Sequence, residues 1–102
     1  MQITHVDPSA RGFHVVATTQ RSQAATMVLS DGASTGSADN RHATNDQWLF
    51  VVSGSGRATV EGVEVELETG ALLVIEAGEG HEIASDPGQD LVTLNVYAPP
   101  VY

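Results

Sequence analysis

Cysteine is absent from the 102 residues of this chain, so neither a disulfide nor a thiolate metal site is open to it and stability has to come from packing. Lysine is absent as well. Four arginines stand against thirteen acidic residues, for a formal charge of −9, which leaves no basic surface to neutralise phosphates and argues against nucleic acid as a partner. Aromatic residues make up only 5% of the chain. No apolar run approaches the roughly 20 residues of a membrane span, and the first residues lack the basic-then-apolar pattern of a signal segment. A soluble, unprocessed, cytoplasmic protein with no membrane contact is therefore the expectation.

What is present is a hydrophobic fraction of 41%, enough for one core, so residues 1–102 read as a single domain. Two short apolar pieces, Ile3 to Val6 and Phe13 to Ala17, flank a turn over Asp7 to Gly12. His5 and His14 lie in them without a metal-capable neighbour at useful spacing and read as surface histidines. Gln23 to Leu29 reads as a strand, and Ser30 to Asp39 as a loop rich in Gly, Ser and Asp.

The next stretch, Asn40 to Gly54, is the part that an apolar core alone does not explain. Side chains two apart on a strand share a face, so Asn40 points with His42, and Gln47 with Leu49 and Val51. Trp48, Phe50 and Val52 make the other face apolar too, which calls for two layers or for one layer and a partner subunit. Ser53-Gly54-Ser55-Gly56 reads as a turn, and Glu61-Gly62 closes a hairpin. Val63, Val65 and Leu67 then alternate with Glu64, Glu66 and Glu68, whose carboxylates read as a solvated face and not as a calcium site.

Ala71 to Ile75 is a short apolar strand. Glu76 to Gly80 turns into another strand on which His81, Ile83 and Ser85 share a face, and Leu91 to Tyr97 is the last strand before Pro99 and Pro100. No amphipathic helix is evident. Short strands between Gly, Pro and Asp turns predict an all-β sandwich or barrel.

The spacing of these residues resembles the cupin superfamily. Its first motif has a His-x-His pair, a glutamate and a glycine; Asn40-Arg41-His42, Gln47 and Gly54 hold those places here. Its second motif, G-x-x-x-x-x-P-x-G-x-x-H-x-x-x-N, reads here as Gly70, Glu76 in the proline place, Gly78, His81, and Ser85 in the asparagine place. The resemblance covers about residues 23 to 98 and implies a cupin double-stranded β-helix, the jelly-roll barrel. It also implies that Asn40, His42, Gln47 and His81 are the places from which metal-dependent cupins bind one divalent ion (zinc, nickel, iron or manganese). One histidine of that set has become asparagine and the carboxylate has become glutamine.

Amide oxygens are neutral, weaker donors than a carboxylate, so an ion held by these side chains keeps more of its charge and favours an anionic ligand. Asp39, Asp46, Glu79 and Glu82 lie near enough in sequence to support it. Leu49, Val51, Ile83 and Met27 are the expected pocket walls. Three readings follow: a metal-binding isomerase, lyase or dioxygenase acting on a small anion; a small-molecule-binding or sensing barrel without turnover, since an amide cannot act as a general base; and a mainly dimerising barrel. A homodimer is compatible with all three, with the segment from Val96 to Tyr102 lying across a neighbour. Neither a serine-hydrolase elbow nor a phosphate loop is present at Ser53 to Gly56, because no helix follows.

Overall fold

Alternation of buried with more exposed side chains runs along residues 46–51 and 90–98, and both stretches form strands. A computed structural model describes residues 1–36 and 42–102. Asn40 and Asp39, both named above as candidates, lie outside the described residues. Among the described residues every regular element is a strand: β1 (Gly12–Thr18), β2 (Gln23–Ser30), β3 (Asp46–Val60), β4 (Val63–Glu68), β5 (Leu72–Ile75), β6 (His81–Ser85) and β7 (Asp90–Ala98). No helix among these residues is long and apolar enough to cross a membrane.

All pairings are antiparallel. The larger sheet has the order β1-β2-β7-β3-β5, and the smaller packs β4 and β6 on either side of the second half of β3. β3 is thus shared. Its first half sits between β7 and β5, and its second half between β4 and β6. The side chains enclosed between the sheets include Leu49, Val51, Ala58, Leu67, Ile75, Ile83 and Leu91.

This sharing corrects the turn expected over Ser53 to Gly56, where the chain instead remains a strand and bends from one sheet into the other. The register shifts between Val51 and Ser53, and Gly54 takes a left-handed φ of 88°. A Cβ on Gly54 would collide with the carbonyl oxygen of Asp90, and one on Gly56 with that of Ala84. The glycines are there because other backbone passes too close for a side chain, a role in strands that sequence composition does not separate from a turn.

The hairpin between β3 and β4 forms where expected, with Glu61 and Gly62 both at positive φ, 47° and 78°, as a two-residue turn of this hand requires. Two other expectations change. Of the apolar row Val63, Val65 and Leu67, only Leu67 is buried, because β4 is the outer strand of its sheet. The outward row Trp48, Phe50 and Val52 is also exposed, and no second layer covers it among the described residues.

Candidate functional site

Gln47 is the second residue of β3, and its side chain is only 4% exposed. It stands in register with Tyr97 of β7 on one side and Ile75 of β5 on the other. His81 opens β6 on the facing sheet and is equally enclosed, while His42 enters from the connection before β3. All three line one cavity of about 360 Å³, together with Gly12, Phe13, Met27, Leu29, Thr35, Ile83, Tyr97 and Tyr102. The ring centroids of His42 and His81 are 5.5 Å apart.

Hydrogen bonds decide which atoms these groups present. His81 Nδ1 lies 3.2 Å from the carbonyl of Glu79, and a carbonyl only accepts, so Nδ1 carries the proton and the neutral ring keeps a lone pair on Nε2. Asn95 Nδ2 faces the Ala25 carbonyl at 3.5 Å, which only accepts, and Thr93 Oγ1 at 3.1 Å, leaving Asn95 Oδ1 to accept from Gln47 Nε2, also at 3.1 Å. The amide of Gln47 is thereby oriented with its oxygen away from Asn95. That Oε1 is buried and has no hydrogen-bond partner among the described residues, an arrangement that costs about 1–3 kcal/mol unless a ligand supplies one.

Electrostatics push the same way. Burial, and secondarily the nearby His81, hold His42 below the ordinary histidine pKa, favouring a neutral ring with a lone pair. Tyr97 is pushed well above the ordinary phenol range by burial and then by Tyr102, so its hydroxyl stays protonated. Of the His81 ring nitrogens, Nε2 is the one left to offer a lone pair, and His42 and the buried Gln47 oxygen are the other donors on residues of this lining.

Such a set can be tested against a divalent ion. Two imidazoles sharing one ion at about 2.1 Å hold their ring centres roughly 4.5–5.5 Å apart for ligand angles of about 90–120°, and the observed separation lies at the upper end of that range. The unpartnered Gln47 oxygen supplies a third donor. Among the described residues no three His, Asp or Glu side chains are grouped to hold a metal, so the set contains no carboxylate. The residues present fit a divalent transition ion held by two imidazoles and an amide oxygen, more weakly than a set with a carboxylate would hold it.

Several sequence expectations are revised. Asp46 Oδ1 accepts from the backbone N–H of Ala77, and Glu79 Oε1 from that of Glu76, so both carboxylates brace the turn between β5 and β6. Neither lines the cavity, nor does Glu82. Glu79 does support His81, but through its backbone carbonyl. Of the expected walls, Met27 and Ile83 line the cavity, while Leu49 and Val51 belong to the core beneath it.

The segment after β7 folds back over its own barrel. Gln23 clamps it, with Oε1 accepting from the N–H groups of Val101 (3.1 Å) and Tyr102 (2.8 Å) and Nε2 donating to the Tyr102 carbonyl at 2.7 Å. Asn45 Nδ2 donates to the Pro99 carbonyl at 2.6 Å. Tyr102 is so placed that its ring lies 4.9 Å from Phe13, 5.4 Å from Tyr97 and 6.1 Å from His42. The aromatic wall had no local signal in the sequence, since its members are far apart along the chain. Asn95 did have one: it is the amide in the inward row Leu91, Thr93, Asn95, Tyr97.

The cupin-domain family profile matches residues 25–97 of the chain. No curated protein matches its sequence. Among solved structures, a Bacillus halodurans protein superposes with a TM-score of 0.85 at 23% identity, over 92% of this chain and 75% of its own. KdgF from a Halomonas species gives 0.78 at 23% identity, over 87% and 78%. A Thermotoga maritima structure named as a predicted oxalate decarboxylase gives 0.77 at 22%, over 86% and 79%. At these identities the likeness concerns fold.

Proposed function

Because the chain belongs to the cupin family, we propose that its barrel holds one divalent transition ion on His42, His81 and the Gln47 carbonyl, and takes a small anionic molecule into the same cavity. The observation that carries this reading is the buried Gln47 Oε1, without a hydrogen-bond partner among the described residues, on a side chain that lines the same cavity as two imidazoles. The bound ion would supply a positive charge to an anionic oxygen of the ligand. Zinc, nickel, iron and manganese all suit the donors.

The reactions considered are an isomerisation, a lyase step or a dioxygenation. Gln47 cannot take a proton, and His42 and His81 would have their lone pairs on the ion, so none of the three proposed ligands is left to act as a general base. The likeness to a structure named as a predicted oxalate decarboxylase is in keeping with a small acid as ligand, at the level of fold. A second reading, a binding or sensing barrel without turnover, is favoured by the amide at position 47 and by the absence of carboxylates from the cavity lining among the described residues.

Metal analysis of untagged protein tests the core of the proposal. Near one equivalent of a transition metal, lost in His42→Ala, is expected; no metal in either protein would end it. Turnover assays on ligands found by thermal shift then separate the two readings.

The reading includes a cytoplasmic homodimer. Trp48 is in register with Val74 and Val96, and Phe50 with Leu72 and Leu94, making a contiguous apolar face on the outside of the larger sheet. Trp48, Phe50, Leu72 and Val74 are all exposed, Trp48 by 46%. These rows carry no charge on a chain of net −9, so two copies can approach through them with little repulsion.

A further inference from the structure

The cavity is segregated along its length, and that segregation bears on what fills it. At one end lie His42, His81 and Gln47, at the level where β3 meets Tyr97. Tyr97 is in register with Gln23 of β2, and Met27 and Leu29 lie four and six residues further along that strand. Ile83 follows His81 by two residues on the facing strand. Phe13, in register with Met27, and Tyr102 form an aromatic wall that runs from this side back to His42, whose ring lies 6.1 Å from that of Tyr102. The hydroxyl of Thr35 accepts the Ile83 N–H at 3.0 Å and so is part of the wall.

From this we infer that the ligand is a molecule with a single oxygen-bearing head and an apolar, preferably planar body, in place of a diacid or a sugar acid. The inference rests on the proposed metal-centred reading for the head and on the apolar wall for the body. A cavity of about 360 Å³ has room for about twelve water-sized groups at about 30 Å³ each, hence a ligand of roughly ten non-hydrogen atoms. One anionic head can meet the ion. A second carboxylate, or a ring of hydroxyls, would lie against Phe13, Met27, Leu29 and Ile83, with only the hydroxyls of Thr35, Tyr97 and Tyr102 to share among its oxygens on the described lining. An aromatic or branched body gains by the same burial.

The test compares 3-phenylpropanoate with adipate and galacturonate, molecules of similar size, by titration calorimetry against the full chain loaded with zinc. The monoacid should bind at least about tenfold more tightly than either of the others. Phe13→Ala should weaken it several-fold, whereas Val15→Ala, on the same strand but outside the cavity lining, should not; chelator competition should give both variants the zinc affinity of the parent. Equal or tighter binding of adipate or galacturonate, no binding of 3-phenylpropanoate at millimolar concentration, or indifference to Phe13→Ala would overturn the inference. If zinc itself does not bind, the metal-centred reading fails separately. The same comparison on metal-free protein then decides the ligand class: a retained preference for 3-phenylpropanoate supports it, and loss of that preference refutes it.

Discussion

Gln47 Nε2 donates to Asn95 Oδ1 across 3.1 Å, and because the Asn95 NH2 group faces the Ala25 carbonyl, which can only accept, the pair is set in this orientation. The Gln47 amide is thereby held with its oxygen away from Asn95, buried and without a hydrogen-bond partner among the described residues. The chemistry of the site depends on a residue that does not line it.

Asn95→Leu removes that constraint at nearly constant volume. It should cost about 1–3 kcal/mol in urea unfolding, since Gln47 Nε2 is left buried without a partner. Zinc affinity by chelator competition should fall about 10–100-fold. Leu91→Ala, a core change of similar or larger stability cost, should leave zinc affinity unchanged; an equal loss in both variants would show that Asn95 acts only through stability.

Gln47→Glu restores a carboxylate to the donor set. Zinc should bind at least about tenfold more tightly, because the added charge compensates the ion. Without metal the variant should melt below the parent, as a buried carboxylate beside Asn95 Oδ1 is poorly solvated. The difference in melting temperature between metal-free and zinc-loaded protein should therefore widen.

Stability should vary with pH through His42. Its pKa is lowered in the folded state, chiefly by burial and then by His81, so the unfolded chain binds the proton more readily. This contribution is fully present above the unfolded value of about 6.5 and is lost as pH falls from there through the folded value. Unfolding titrations across that window should show stability falling with acid, and His42→Asn should flatten the slope.

Gly54→Ala places a methyl group against the Asp90 carbonyl at a backbone φ of 88°. Both effects oppose folding, and a loss of about 3 kcal/mol or more in chemical denaturation is expected. Gly62→Ala, at φ 78° but with open space around it, should cost about 1–2 kcal/mol.

The proposed dimer face is open to a direct test. Trp48→Glu places a charge at its centre, and sedimentation should move from dimer to monomer while the monomer stays folded, because Trp48 is not part of the core. A parent protein that is already monomeric at micromolar concentration would remove the proposal.

Much of the fold was legible because burial in a sheet imposes a two-residue period on each strand. Leu91 to Tyr97 shows it plainly, with alternate residues buried. The positions of His42, Gln47 and His81 were legible through the spacing of two motifs. Their company was not: Tyr97 and Tyr102 approach His42 only because Gln23 clamps Val101 and Tyr102 to the barrel instead of leaving them for a neighbour.

By itself, the sequence determined an all-β chain with a hairpin at Glu61-Gly62, and a site without thiolate and with amides where a family of barrels has a histidine and a carboxylate. Those follow from local chemistry and residue type. Only the tertiary structure decided that β3 runs on through Ser53 to Gly56, that the Trp48 face is exposed, and that the Gln47 oxygen is buried without a hydrogen-bond partner among the described residues. Each of these depends on which distant backbone or side chain comes to lie opposite, and that pairing is set by the packing of the two sheets, not by neighbours along the chain.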